Sequence, residues 1–171
     1  MRLFLAAELP EPVAGALAEW CPRDDGLRPV ARESLHVTLA FLGQRGEDEA
    51  PAIAGLLEPA ARPVCALALE RALALPRRRP RVLAVELADG DGALAELQGA
   101  LVRALAEAIG FVPERRAFLP HVTVARLREP RTPSLRELPE CGVFAAASLT
   151  LFRSHLSPRG ARYEALARAP L

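Results

Sequence analysis

The stretch Leu35-His36-Val37-Thr38-Leu39 decides how this chain is read, because it recurs as Pro120-His121-Val122-Thr123-Val124. Side chains two positions apart on a β-strand point to the same face of the sheet. In each copy the histidine and the threonine therefore share one face, while the apolar residues beside them face a core. We predict two strands, each presenting an imidazole and a hydroxyl to a common surface.

The repetition is too specific to be accidental. The chain contains only three histidines and four threonines, so chance would place a threonine two residues after two of the histidines in roughly two such sequences in a thousand. A single strand of this kind is more simply explained by a histidine packed in a core. The doubled motif favours a shared functional site.

Strand patterns alternate with helical patterns along the chain. Strands are predicted at residues 2–9, 35–42, 64–75, 82–87, 119–127, 143–152 and 161–167. Helices are predicted after Pro12, from Glu47 through Ala60, and over residues 94–109 with Gly110 as the cap. The two motifs lie close to half a chain length apart, which suggests an internal duplication into two α+β lobes.

Composition and charge restrict the class of protein. Hydrophobic residues make up 51% and charged residues 25%, which is typical of a globular protein. The net charge of +1 gives no overall attraction to nucleic acid, so any bound anion must be held by local groups. Three widely spaced cysteines predict reduced thiols. No run reaches ~18 uninterrupted apolar residues, and we expect a cytoplasmic protein without a membrane segment.

Two facing imidazoles suit general acid–base catalysis, because an ordinary histidine pKa near 6.5 leaves both protonation forms available. The threonine hydroxyls are placed to donate hydrogen bonds to phosphoryl oxygens. A zinc site is disfavoured, since catalytic zinc takes three protein ligands and threonine is not a usual one. We therefore predict no metal and no cofactor.

Further segments around both motifs carry a family resemblance. They are Arg2-Leu3-Phe4-Leu5-Ala6 with Leu9-Pro10, the block 35–43, Gly110-Phe111, Pro113-Glu114-Arg115, the block 118–126, and Ser154, Leu156, Gly160 and Tyr163. In this order they resemble the two-histidine phosphoesterases, and within them the RNA 2′,3′-cyclic phosphodiesterases, which are also called 2′-5′ RNA ligases. The resemblance covers nearly the whole chain.

The resemblance implies an α+β, bilobal two-histidine phosphoesterase fold. Two pseudo-symmetric lobes of antiparallel sheet with outer helices would flank a central active-site groove, and residues 1–171 would form a single bilobal domain. It also implies metal-independent hydrolysis of an RNA terminal 2′,3′-cyclic phosphate to a 2′-phosphate, with ATP-independent 2′-5′ ligation as the reverse reaction. The implied partner is RNA with a cyclic phosphate end, tRNA-like fragments included, and we expect a monomer.

The same resemblance assigns roles to five residues. His36 would be the proton donor to the leaving 3′-oxygen and His121 the proton acceptor from water. Thr38, Thr123 and Arg126 would bind the phosphate. Arg126 stands five residues after His121, so an unbroken strand would point it away from the catalytic face. Its role therefore requires a β-bulge or a strand end.

Four other side chains are weaker candidates for contact with the base or the RNA. Phe41 and Phe118 flank the motifs and could stack on a base, although core packing is the commoner use of such residues. Tyr163 and Arg115 are further candidates. The third histidine, His155, lacks a threonine two residues on, and we assign it a structural role.

Two alternatives remain open from the sequence. The same groove could act on a small cyclic phosphate, such as a cyclic nucleotide or an ADP-ribose cyclic phosphate, and the near-neutral charge suits that reading. A non-catalytic RNA-binding module would retain the fold but would not need two titrating histidines.

Overall fold

A sheet of antiparallel strands carries the two motifs at its centre. The computed structural model describes residues 1–157 and 160–171, and within these residues eight strands and four α-helices are present. They are β1 (Arg2–Glu8), α1 (Glu11–Trp20), β2 (Leu27–Pro29), β3 (His36–Gln44), α2 (Glu49–Ala54), α3 (Leu57–Ala60), β4 (Leu67–Leu75), β5 (Val82–Asp89), α4 (Ala93–Ile109), β6 (His121–Leu127), β7 (Ser148–Ser157) and β8 (Gly160–Pro170).

The sheet divides into two halves that meet at the motif strands. The first lobe has the order β3-β1-β7-β8, and the second has the order β4-β5-β6, with β2 also paired to β6. β3 and β6 pair with each other at one residue pair, Val37 and Val122. These valines are the middle residues of the two motifs. The predicted α+β class with two antiparallel lobes is confirmed, and the seam between the lobes runs through both motifs.

The lobes do not correspond to the two halves of the chain. β7 and β8 come from the end of the chain, yet they extend the first lobe, because β7 pairs with the edge of β1 that β3 leaves open. β2 and β4 come from the first half but belong to the second lobe. The repeated unit is smaller than a half chain: a strand, a helix and a motif strand, present as β1-α1-β3 and as β5-α4-β6.

The helix of each repeated unit buries one apolar stripe. On α4, four leucines at helical spacing are fully buried: Leu94, Leu97, Leu101 and Leu105. Each contributes roughly 1.5–3 kcal/mol through removal of its side chain from water. The helix ends at Gly110, whose φ of 63° is the left-handed conformation that glycine adopts without strain. The sequence prediction for this helix is confirmed.

Two predicted elements differ from the structure, and a third lies partly outside the described residues. The helix expected over residues 47–60 is divided into two short helices, α2 and α3. Gly55 and Leu56 keep right-handed helical dihedral angles, but the N–H of Leu56 donates to the carbonyl oxygen of Ile53, three residues back, which interrupts the α-helical hydrogen bonding. The strand expected from Val143 begins at Ser148, since Phe144 instead forms an isolated bridge with Leu67 of β4. The turn expected at residues 157–160 includes positions outside the described residues, although β7 and β8 pair as a hairpin.

Candidate active site

A groove lies over the seam between the lobes, and both motifs open into it. This central groove is a cavity of about 430 Å³. Residues of the two motif strands that line it are His36, Thr38, Phe41, His121, Thr123 and Arg126. Tyr163 of β8 lines it as well. The structure thus brings together all five residues to which the sequence assigned catalytic or phosphate-binding roles, together with two of the four weaker candidates.

The backbone of each motif strand carries the same irregularity. In β3 the register with β1 skips Leu39, and in β6 the register with β5 skips Val124. Each is a β-bulge, which inserts one residue and reverses the side-chain parity beyond it. Phe41 on β3 and Arg126 on β6 consequently face the groove, five residues after each histidine. The bulge that the role of Arg126 required is therefore present.

Both imidazoles are held in the same way. Nδ1 of His36 donates to the carbonyl oxygen of Ser34 at 2.7 Å, and Nδ1 of His121 donates to the carbonyl oxygen of Leu119 at 2.8 Å. We assign the proton to Nδ1 because a carbonyl oxygen is only an acceptor. Each neutral ring then keeps an unprotonated Nε2. The Thr38 hydroxyl donates to Nε2 of His36 at 3.1 Å.

Aromatic rings enclose His36. Its ring centroid lies 5.0 Å from Phe4, 5.4 Å from Tyr163 and 6.0 Å from Phe152. Burial among these rings lowers the pKa of His36 below its ordinary value, because desolvation disfavours the charged imidazolium. The Glu8 carboxylate opposes this shift only in part. The fold therefore favours the neutral form of His36.

A cation and an aromatic ring of β1 that were not among the predicted site residues also line the groove. Arg2 and Phe4 line the groove from β1, and the Arg2 guanidinium lies 4.7 Å from the centroid of the Phe41 ring. At this distance the cation and the ring attract each other. The two residues stand two apart on a strand, so the parity used for the motifs predicts a common face. The pairing of β1 with β3, which brings that face to the groove, is a tertiary feature.

A second cavity adjoins the central groove on the side of the second lobe. This side cavity has a volume of about 670 Å³ and is lined by Phe118 and Arg116. Arg115 is exposed and lines neither cavity, so the structure does not place it with the other candidates. Nε2 of His155 is hydrogen-bonded to the Glu164 carboxylate at 2.7 Å on the surface of the hairpin, and His155 lines neither cavity.

Two general features of the described residues complete the site. Among residues 1–157 and 160–171, no three histidine, cysteine, aspartate or glutamate side chains group in a way that could hold a metal ion. Within the same ranges, no helix is long and apolar enough to cross a membrane.

Two imidazoles and two threonine hydroxyls line one groove between two half-sheets, which is the arrangement that the two motifs predicted. The family model described as "2′-5′ RNA ligase superfamily" matches residues 9–156 of the chain. The chain belongs to this superfamily.

Individual relatives agree with the family match. The chain is 36% identical to the RNA 2′,3′-cyclic phosphodiesterase of Thermus thermophilus over 182 residues, covering 100% of this chain and 90% of that protein. It is 33% identical to the Aeropyrum pernix protein of the same name, covering 82% of this chain and 84% of the relative.

Solved structures show the same architecture. The crystal structure of the Thermus thermophilus protein TT0787 superposes with a TM-score of 0.82 at 33% identity, covering 100% of this chain and 98% of that one. The structure of Escherichia coli LigT complexed with 3′-AMP gives a TM-score of 0.80 at 28% identity, covering 99% and 97%. The predicted bilobal fold is therefore confirmed.

Proposed function

We propose that the protein hydrolyses the 2′,3′-cyclic phosphate at an RNA end to a 2′-phosphate. The observation that carries this proposal is the convergence of His36 and His121 on one groove, each ring tethered through Nδ1 and each accompanied by a threonine. The curated relatives named RNA 2′,3′-cyclic phosphodiesterase support the same substrate class.

The proposed reaction keeps the roles that the family resemblance implies for the two histidines, which lie on strands either side of the seam. His121 acts as the general base and takes a proton from water through Nε2, and the oxygen attacks phosphorus. The P–O3′ bond breaks in line with the attack, and His36 gives its Nε2 proton to the departing 3′-oxygen. Thr38 and Thr123 donate hydrogen bonds to the non-bridging oxygens, where negative charge is concentrated.

The acid role of His36 requires that it gain a proton. Burial lowers the pKa of His36 in the free protein, whereas an adjacent phosphodiester anion raises the pKa of an imidazole. Binding of substrate therefore charges His36 where the proton is needed. Arg126, which lines the same groove, supplies a fixed positive charge for the phosphate.

Product analysis tests the proposal directly. An oligonucleotide ending in a 2′,3′-cyclic phosphate is incubated with the protein, and the position of the phosphate is identified. We expect a 2′-phosphate and a free 3′-hydroxyl. A 3′-phosphate product would reverse the leaving group and overturn the assignment of His36 as its proton donor.

A small cyclic phosphate is the second candidate substrate, because the net charge is only +1 and an extended RNA usually binds along a basic track. Competition between a cyclic-phosphate-ended oligonucleotide and the corresponding mononucleotide decides between them. We expect the oligonucleotide to have the higher kcat/KM. Equal values would make the small molecule an equally good substrate and remove RNA as the preferred one.

Further features belong to the proposal. Hydrolysis requires no cofactor, residues 1–171 act as one bilobal domain, and the protein works as a cytoplasmic monomer. RNA fragments with cyclic phosphate ends, including those derived from tRNA, are the proposed partners. Gel filtration with light scattering checks the monomer.

A further inference from the structure

His36 is the acid of the proposed reaction, yet its surroundings oppose the positive charge that the acid must carry. The rings of Phe4, Phe152 and Tyr163 enclose it, and burial is the largest influence on its pKa, which it lowers. Groups of the central groove that can carry a positive charge beside it are Arg2, His121 and Arg126. A charge on any of them disfavours an imidazolium, so the acid step needs a protein anion on another side of the ring.

A cavity of the first lobe that contains acidic side chains also borders His36. This first-lobe cavity has a volume of about 400 Å³, and its charged side chains are Glu8, Glu11, Arg32, Glu33 and Arg168. Glu11 forms an ion pair with Arg32, and Glu33 is exposed at the turn before β3. Glu8 is the residue of β1 that pairs in register with His36, and directly opposed residues of adjacent strands have Cβ atoms about 5 Å apart. Glu8 is therefore the acid that the sheet itself holds beside the ring.

Two other strands of the first lobe hold one oxygen of the Glu8 carboxylate. The hydroxyl of Thr150 on β7 donates to Oε1 at 2.7 Å. The guanidinium of Arg168 on β8 donates to the same oxygen, from Nε at 3.1 Å and from Nη2 at 2.9 Å. The other oxygen, Oε2, receives no hydrogen bond from the residues that the structure describes. Three donor groups thus orient the carboxylate, while part of its negative charge stays available to its surroundings.

The hydroxyls behind this carboxylate are buried. Thr150 is 0% exposed, and Ser148, whose hydroxyl lies 3.3 Å from that of Thr150, is 5% exposed. Within the part of the chain that the structure describes, only one further polar or charged side chain is buried, that of Glu86. Burial of a hydroxyl costs free energy unless a hydrogen bond compensates it. Packing of β1 against β7 does not require this cost, whereas orientation of a carboxylate beside the catalytic ring explains it.

We propose that Glu8 is a positioning residue for the acid step: its carboxylate, fixed by Thr150 and Arg168, stabilises the charged form of His36. This inference rests on the proposed function. Glu8 takes no proton itself, because the proton passes from Nε2 of His36 to the 3′-oxygen as the P–O3′ bond breaks. Arg168 offsets part of the carboxylate charge, so that the imidazolium is stabilised and still donates. In agreement, the Glu8 carboxylate raises the pKa of His36 against the lowering by burial.

A titration of the imidazole signals tests this coupling without any substrate. The chain has three histidines, so the signal of His36 in an NMR spectrum is assigned by its loss in His36→Ala and is then followed against pH. Glu8→Gln keeps the shape of the side chain and an oxygen that accepts from Thr150, but it removes the negative charge. We expect the titration midpoint of His36 to move to lower pH in this variant, because the imidazolium loses a nearby anion.

Arg168→Gln gives the opposite expectation. The Arg168 side chain is 56% exposed, and its removal leaves the Glu8 carboxylate uncompensated, so the midpoint of His36 should move to higher pH. The matched control is the ion pair between Asp24 and Arg131, which line none of the cavities around the histidines. Asp24→Asn and Arg131→Gln should leave the midpoint unchanged. Loss of a merely structural contact would not move it in opposite directions in two variants that break the same ion pair.

Turnover shows whether the reaction uses the coupling. At about pH 7.5, Glu8→Gln should lower kcat on a cyclic-phosphate-ended oligonucleotide by roughly three- to tenfold, because less of His36 carries the proton. KM should not rise, since Glu8 does not line the central groove. Arg168→Gln should not lower kcat.

Four outcomes would overturn the proposal. They are an unchanged His36 midpoint in Glu8→Gln, a shift of the same sign in Glu8→Gln and Arg168→Gln, a shifted midpoint with unchanged kcat, and a raised KM with unchanged kcat. If Glu8→Gln fails to fold, Arg168→Gln decides alone, and a midpoint that does not rise overturns the proposal. A wild type that hydrolyses no cyclic phosphate would instead refute the proposed function, and the titration distinguishes the two failures because it needs no substrate.

Discussion

The strands β3 and β6 share a backbone course but differ at one groove position. From the histidine onward, both follow the same order of half-buried, buried, half-buried, buried, buried, exposed and buried residues. After the bulge, the position facing the groove is Phe41 in β3 and Arg126 in β6. The fold thus duplicates the histidine and the threonine on the two strands, while the exposed groove position is aromatic on one strand and cationic on the other.

A second symmetric feature lies beside each histidine. A glutamate is paired in register with each ring, Glu8 with His36 and Glu86 with His121. Each carboxylate is in turn bound by an arginine from another strand of the same lobe. The ion pairs are Glu8 with Arg168 and Glu86 with Arg71. Both lobes therefore place an arginine-paired glutamate beside the imidazole, and His36 is in addition surrounded by the rings of Phe4, Phe152 and Tyr163.

The largest expected effect tests the equivalence of the two histidines. His36→Ala and His121→Ala should each lower kcat on a cyclic-phosphate-ended oligonucleotide by roughly 10² to 10⁴, because each removes one proton-transfer group. His155→Ala is the matched control, since this third histidine is paired with Glu164 on the hairpin surface. A comparable loss in the control, or weaker binding with unchanged turnover in the groove variants, would contradict the roles.

The second prediction distinguishes the contributions of Arg126 and Phe41 to substrate binding. Arg126→Gln should raise KM by roughly tenfold to a hundredfold through loss of a charge-assisted contact with the phosphate. Phe41→Ala should cost roughly 1–3 kcal/mol only for substrates with a base to stack. Inhibition by inorganic phosphate distinguishes them: it should weaken in Arg126→Gln and persist in Phe41→Ala. If both variants weakened it equally, the two positions would not be specialised.

A smaller effect concerns stability and the enclosure of His36. Burial lowers the pKa of His36 in the folded protein below the value of 6.5 that it has in the unfolded chain. Between these two pKa values the unfolded chain binds more protons than the folded protein. The free energy of unfolding therefore falls as the pH falls through this interval. The urea midpoint of the wild type should decrease more between about pH 7 and pH 5 than that of His36→Gln. Parallel curves for the two proteins would show that the enclosure does not perturb the ring.

The last prediction is that chelation of metal ions does not change the rate of hydrolysis. Prolonged treatment with EDTA should leave hydrolysis unchanged, because the proposed proton transfers involve only the two imidazoles. Activity is measured before and after treatment, with a metal-dependent nuclease treated in parallel as the control for chelation. A loss that a divalent cation restores would require a different mechanism for both motif strands.

Local patterns predicted the parts of the molecule that depend on local physics. The leucine spacing of α4, the left-handed Gly110 and the two motif strands follow from periodicity and glycine conformation. The bulges at Leu39 and Val124 do not, because an inserted residue has no compositional mark. The bulge at Leu39 nevertheless turns Phe41 into the groove, whereas the sequence alone favours packing of Phe41 in a core.

Other parts of the site depend on contacts between distant segments. The rings around His36 come from β1, β7 and β8, as Phe4, Phe152 and Tyr163. Only the return of the last hairpin to β1 brings them together. The side cavity likewise combines α4 with loops before β5 and β6, so its existence could not be inferred from any single stretch.

The single residue pair between the motif strands has a consequence for ligand binding. At Val37 and Val122 the two half-sheets share one rung of backbone hydrogen bonding, and the groove lies over that rung. An anion held by Thr38 on one side and Thr123 on the other becomes a cross-link between the lobes. Because such a ligand binds only the folded chain, its occupancy adds to thermal resistance. A bound phosphate should therefore raise the melting temperature of the protein.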